Sequence, residues 1–142
     1  MNALSDGDVE HLAPDACWSL LHSTDVGRLA VIRPDGVDIF PLNYRVHDEK
    51  LYFASAPGSK LVDIARSPVV AFEVDSFGDG ARWSVVIRGE ARRLNDDREI
   101  ELSGVHAMQS TLPTTKWNYV RIAPTSITGR RFTPSAPQSS VS

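Results

Sequence analysis

Leu51-Tyr52-Phe53-Ala54-Ser55-Ala56-Pro57-Gly58-Ser59-Lys60-Leu61 is where this chain declares its fold. The first four residues read as a strand, Ser55 to Lys60 as a tight turn, and Leu61 to Arg66 as a short helix. Leu61, Ile64 and Ala65 share one face of that helix at i, i+3, i+4. Ser67-Pro68 ends it, because the residue before a proline is driven out of the helical region. Val69 to Asp75 is strand-like again, so a short helix crosses between two strands. Working outward, Gly27 to Arg33 and Val37 to Val46 are strand-like and are joined by the turn Pro34-Asp35-Gly36. His47 to Lys50 turns the chain into Leu51. Downstream, Ser76 to Ala81 reads as a Gly/Asp-rich loop. Trp83 to Leu94 reads as a long strand with Gly89 marking a bulge or bend. Asn95 to Gln109 has helical character, with Asn95 or Asp96 as its cap. Lys116 to Ile122 and Ser126 to Phe132 read as two final strands, separated by Ala123-Pro124. Six or seven strands in hairpin order favour a small antiparallel β-barrel, since a parallel sheet would need a helix at each of several crossovers.

The same pattern divides the chain into a polar lead-in over residues 1–14, one β-barrel domain over 15–132 and a Pro/Ser tail over 133–142 that reads as disordered. Asp15 to His22 forms a helix at the start of the domain, with Cys17, Leu20 and Leu21 on one face. The 142 residues suffice for one domain with a core, and 42% apolar with 23% charged residues fit a folded soluble protein. A formal charge of −3 argues against non-specific binding to nucleic acid or to an acidic membrane. The single cysteine, Cys17, cannot form an internal disulfide and reads as a buried thiol, which fits a reducing compartment. Residues 1–6 carry no apolar segment of signal-peptide type, and no apolar run approaches the ~20 residues of a membrane span. The expectation is a cytoplasmic protein.

The turn carries the chemistry. A helix N-terminus presents unbonded backbone N–H groups and partial positive charge. Ser59 can cap the helix or turn its hydroxyl to an anion, and Lys60 adds a mobile full charge. That combination suits a phosphate. It also suits an ordinary capped turn, and the local sequence leaves both readings open. The spacing is not that of a nucleoside triphosphate loop. Elsewhere, His11, His22, His47 and His106 have no metal-ligand spacing. Asp75 and Asp79 read as solvated loop residues, and Arg130-Arg131 as a solvated strand edge.

Several segments align in order. They are Val26-Gly27-Arg28-Leu29-Ala30, Pro41-Leu42-Asn43-Tyr44, Phe53 to Leu61, Pro68 to Asp75, Trp83 to Ala91, Trp117 to Ile122 and Ile127-Thr128-Gly129-Arg130-Arg131. In this order the chain resembles the pyridoxamine 5′-phosphate oxidase-like family of flavin-binding split barrels, and its short bacterial members in particular. The resemblance implies a mainly β, six-stranded antiparallel Greek-key split barrel. It implies a homodimer with two FMN sites at its interface. Ser55, Gly58, Ser59 and Lys60 would hold the FMN phosphate, and Asn43 and Tyr44 would run beside the ring. Ser84 would give the flavin a polar contact, and Arg130 would lie near where the second subunit reaches the ring.

The chain departs from the oxidases at its end. Arg131 is followed by Phe132-Thr133-Pro134 and a tail without the histidine that grips their substrate, so activity on pyridoxamine phosphate does not follow. Lys60 is followed by Leu61 where the oxidases carry a second basic residue. The resemblance therefore implies an FMN-binding, oxidoreductase-like protein acting on a small molecule. An F420-dependent reductase and a non-catalytic flavin- or haem-binding module are the alternatives.

Overall fold

The computed structural model describes residues 9–56, 58–78, 81–107 and 117–133, with Ser59 described in its main chain alone. The elements are β1 (Val9–Leu12), α1 (Pro14–His22), β2 (Val26–Arg33), β3 (Gly36–Asn43), β4 (Arg45–His47), β5 (Lys50–Ser55), α2 (Ser59–Arg66), β6 (Val69–Phe77), β7 (Arg82–Arg93), α3 (Asp97–Ser103), a 3₁₀ turn (Val105–Ala107) and β8 (Asn118–Phe132). One antiparallel sheet runs β3-β2-β6-β7-β8-β5-β4, with β1 paired to β8. It is a curled split barrel, as expected, but with eight strands among the described residues rather than six.

Each difference in strand count has an identifiable cause. β1 comes from the expected lead-in. Its four residues are too short to show a period, and they pair with Gly129 to Phe132, far along the chain. The expected strand Val37 to Val46 breaks at Tyr44 into β3 and β4. The two expected final strands fuse into β8. There Arg88 pairs with Ser126 and Gly89 with Pro124, so Thr125 is the extra residue of a bulge, and its hydroxyl donates to the Arg88 carbonyl at 3.1 Å. A bulge is where a sheet tolerates proline. A Cβ at Gly89 would collide with the Ala123 carbonyl, which accounts for the glycine. The expected loop starting at Ser76 begins later, because β6 runs to Phe77. Asp79, the end of the expected helix toward Gln109 and the tail from Pro134 lie outside the described residues.

Strand alternation sorts the side chains. Leu29 and Val31, Val70, Phe72 and Val74, Val85 and Ile87, and Val120 and Ile122 turn inward with Leu51 and Phe53 and are all buried. Each such side chain contributes about 1.5–3 kcal/mol through its removal from water. α1 closes one part of this core with Cys17 and Leu21, and α2 inserts Ile64 into another. α3 packs outside β5 and β8. Tyr52 donates to Glu99 at 2.8 Å, and Arg121 forms an ion pair with the same carboxylate at 3.0 Å. Burial and the Glu99 bond together push the Tyr52 phenol up. The opposite face of the sheet leaves Val26, Ile32, Val37, Ile39 and Val69 exposed. No helix among the described residues is long and apolar enough to cross a membrane.

Candidate functional site

The turn after β5 is built as an open helix start. Gly58 occupies the N-cap of α2 and has no side chain with which to accept a bond from the first-turn amides. Ser59 is therefore the first helical residue rather than the cap. No acidic residue stands in the first turn. A Cβ at Gly58 would come no nearer than 4.0 Å to its closest neighbour, the Ala56 carbonyl oxygen, so nothing steric requires glycine here. Ser55, at the end of β5, is buried and donates its hydroxyl to the Ala56 carbonyl at 3.2 Å.

Lys60 turns its ammonium inward. Nζ lies 4.8 Å from the centre of the Phe40 ring and 5.9 Å from that of Phe53. Cation–π contact of this kind compensates part of the lost hydration. Burial lowers the Lys60 pKa from its ordinary value. Among the described residues no carboxylate pairs with it. The acid one turn further on, Asp63, is engaged elsewhere. It is buried, with Oδ2 3.5 Å from Arg33 Nε, while Arg33 also holds Asp38 at 2.6 Å. This Asp38–Arg33–Asp63 arrangement ties α2 to the β2–β3 hairpin and leaves the Lys60 charge available.

Asn43 and Tyr44 lie at the bend between β3 and β4. Asn43 is exposed at the end of its strand. Tyr44 is buried, with its ring edge-on to Phe72 at 5.2 Å. Its hydroxyl donates to the Leu21 carbonyl at 2.6 Å and meets the Thr24 hydroxyl at 2.6 Å. Desolvation is the main reason its pKa is raised. The Tyr44 phenol therefore fastens α1 to the sheet, whereas Asn43 faces a polar cleft of about 420 Å³ that His22, Asp25 and Arg45 also line.

Ser84 and Arg130 form a third group. They are direct cross-strand partners on the outward face, with Asp75 beyond Ser84 and His11 beyond Arg130. On the same face Arg28 grips Glu73 at 2.9 Å and Asp75 at 3.1 Å. One guanidinium thus serves two carboxylates. Partial burial and the neighbouring Asp75 push the Glu73 carboxyl up to about 7. Ser84 and Arg130 lie on the outward face of the sheet, whereas Lys60 reaches toward the Phe40 and Phe53 rings. Within one chain the two groups therefore stand on different faces of the sheet.

Sequence reading alone missed the Phe40 and Phe53 rings beneath Lys60, the Arg33–Asp63 tie and the Arg28 clamp. Only the Glu73/Asp75 pair left a local signal, since period-2 alternation puts both on one face.

Comparison with known proteins bears on the whole of this framework. A Corynebacterium glutamicum structure described as a candidate pyridoxamine 5′-phosphate oxidase is 36% identical, with 92% of this chain and 98% of that one covered at a TM-score of 0.78. An FAD-binding protein from Mycobacterium smegmatis is 34% identical, with 87% and 98% covered at a TM-score of 0.75. An uncharacterised Rhizobium meliloti protein is 28% identical over 100 residues, which span 70% of this chain and 66% of that one. With residues 13–131 matching the family's own sequence pattern, the chain belongs to the pyridoxamine 5′-phosphate oxidase family.

Proposed function

We propose that this protein binds a flavin nucleotide and works as an oxidoreductase on a small molecule, as a homodimer. The observation that carries the reading is the first turn of α2, which combines amides that no described side chain caps, no acid, and a half-buried ammonium. These residues fit a flavin phosphate. The dianion would accept from the amides at Ser59 and Lys60, and the Gly58 N-cap leaves it room to approach. Lys60 would move from the aromatic rings to a phosphate oxygen, a charge-assisted bond stronger than the contact it leaves. The Ser55 hydroxyl would exchange the Ala56 carbonyl for another. Asn43 would offer its amide to the polar edge of the ring, and Tyr44 would hold the bend that carries Asn43.

A bound flavin supplies hydride and electron transfer, while the protein positions it and excludes water. The outward position of Ser84 and Arg130, on the face away from the Lys60 ammonium, favours a second copy as the source of these two residues. Burial of the exposed Ile32, Val37, Ile39 and Val69 against that copy fits the same arrangement. The family and the Mycobacterium smegmatis relative support a flavin generally, with FMN the simplest form that the turn accommodates.

The test is a titration of purified, flavin-free protein with FMN, followed by flavin fluorescence and visible absorbance. Lys60→Ala is expected to weaken binding about tenfold, the loss of one charge-assisted contact. Protein that neither co-purifies with nor binds a flavin would overturn the reading. Reduction of the bound flavin by NAD(P)H, or by reduced F420, separates an enzyme from a module that only holds its cofactor.

A further inference from the structure

A cleft of about 600 Å³ opens between α2 and the end of β7, a volume in the range of small-molecule sites. Leu61, Val62, Ala65, Pro68 and Ala91 line it with apolar surface. Among its described lining residues none is aromatic, and none carries a hydroxyl, amide or carboxyl side chain. The Ala91 amide donates to the Pro68 carbonyl at 2.9 Å, which fastens the strand to the end of the helix and fixes the cleft floor. Arg93 stands at its mouth. Val85, Ile87 and Ala91 take the core side of β7 and are buried, and Arg93 holds the next position of that row. Its cross-strand partner, Val120, is fully buried. A core-facing row therefore ends in a guanidinium. Among the described residues no carboxylate pairs with it. Arg92, on the outward side, has Glu90 at 3.7 Å, and Asp63, the one acid of α2, is turned into its contact with Arg33.

We infer that the α2–β7 cleft is a separate binding site for an aliphatic monocarboxylate of medium chain length. The carboxylate would sit on Arg93 and the chain along Leu61, Val62, Ala65 and Pro68. Charge complementarity fixes one end of the ligand, since the planar guanidinium fork matches the two oxygens of a carboxylate. The lining fixes the rest. A polar body would lose its hydration against these side chains without finding a partner, and an aromatic one would find no ring to stack on. An aliphatic chain loses nothing and removes apolar wall from water, including Val62, which is 52% exposed. The site stands apart from the flavin reading: Lys60 turns to Phe40 and Phe53 and is not among the cleft's lining residues.

The experiment titrates the full flavin-free chain with octanoate and, separately, with octanol, followed by calorimetry. Octanoate is expected to bind about tenfold more tightly than the alcohol, the worth of one charge-assisted pair. Arg93→Ala should remove that margin and leave the octanol constant unchanged. Ala65→Trp, at an exposed helix position, should abolish binding of both by filling the cleft. A thermal melt of each variant checks its folding. Absence of octanoate binding, equal affinity for octanoate and octanol, or octanoate binding that survives Ala65→Trp overturns the inference and leaves the flavin reading standing. Displacement of octanoate by FMN or FAD also overturns it, by giving the cleft to the cofactor. Loss of a dimer on addition of octanoate does so as well, by giving the cleft to a second copy.

Discussion

The helices α2 and α3 begin in opposite ways. At α3, Asp96 accepts from the amides of Arg98 at 2.9 Å and Glu99 at 3.4 Å, and Asp97 and Glu99 stand in the first turn. Cap and charge both complement the helix dipole. At α2 the cap is a glycine and the first turn carries a lysine, the wrong sign for that end of a helix. The same chain thus builds one helix start that carries its own cap and acids and another, at α2, with a glycine cap and no acid in its first turn. A local defect that the surrounding fold maintains marks a site more sharply than a local optimum does.

If α2 is not held at its start, packing must hold it. Ile64 is 4% exposed within the main core, and replacing it with alanine is expected to cost about 3 kcal/mol in urea unfolding, the usual scale for such a cavity. Ile100→Ala on α3 should cost less, since Ile100 is only partly buried and its helix is also secured by the Asp96 cap and the Glu99–Arg121 pair. Equal losses in the two helices would break the contrast at its base.

Giving α2 the missing acid should reverse its character. Gly58→Asp meets no steric barrier and places a carboxylate where the amides lack a partner. The stripped protein is expected to gain a few tenths of a kcal/mol, the difference between an aspartate and a glycine at an N-cap, and to melt about a degree higher. Flavin affinity should fall by about tenfold or more, because the carboxylate satisfies the amides and repels the phosphate. A variant that melts higher and still binds flavin at full strength would show that the start of α2 is only a turn.

What the sequence disclosed follows the same divide between local and distant causes. The strand–turn–helix around Ser55 to Lys60, the bulge at Gly89 and the Asp96 cap are written in neighbouring residues, and each was legible. β1 was not, because its partner lies at the far end of the chain. Nor was the buried role of the Tyr44 phenol, which depends on Leu21 and Thr24 meeting it across the core. The direction of Lys60 depends on Phe40 and Phe53, two strands that no local pattern brings together. Ser84 and Arg130 fell on one face as cross-strand partners only once β7 and β8 were paired in register.

The complete start predicts a different kind of loss. Asp96→Ala should cost about 1 kcal/mol, the typical price of a lost cap, with no change in flavin affinity. A change in affinity would mean that α3 communicates with the turn and that the two helices cannot be treated separately.

The smallest expected effect is a slope in stability with pH. The folded Lys60 has its pKa lowered by burial, whereas the unfolded lysine keeps its proton up to about 10.5. Between those two values the unfolded chain binds more protons than the folded one, so stability rises as pH increases through that window. Lys60→Met removes this contribution, and the difference between the two melting curves across pH 8–11 isolates it from other groups that titrate there. A bound phosphate should restore the charged form and flatten the wild-type slope. If the slope survives with flavin bound, the ammonium has stayed over Phe40 and Phe53 and does not serve the anion.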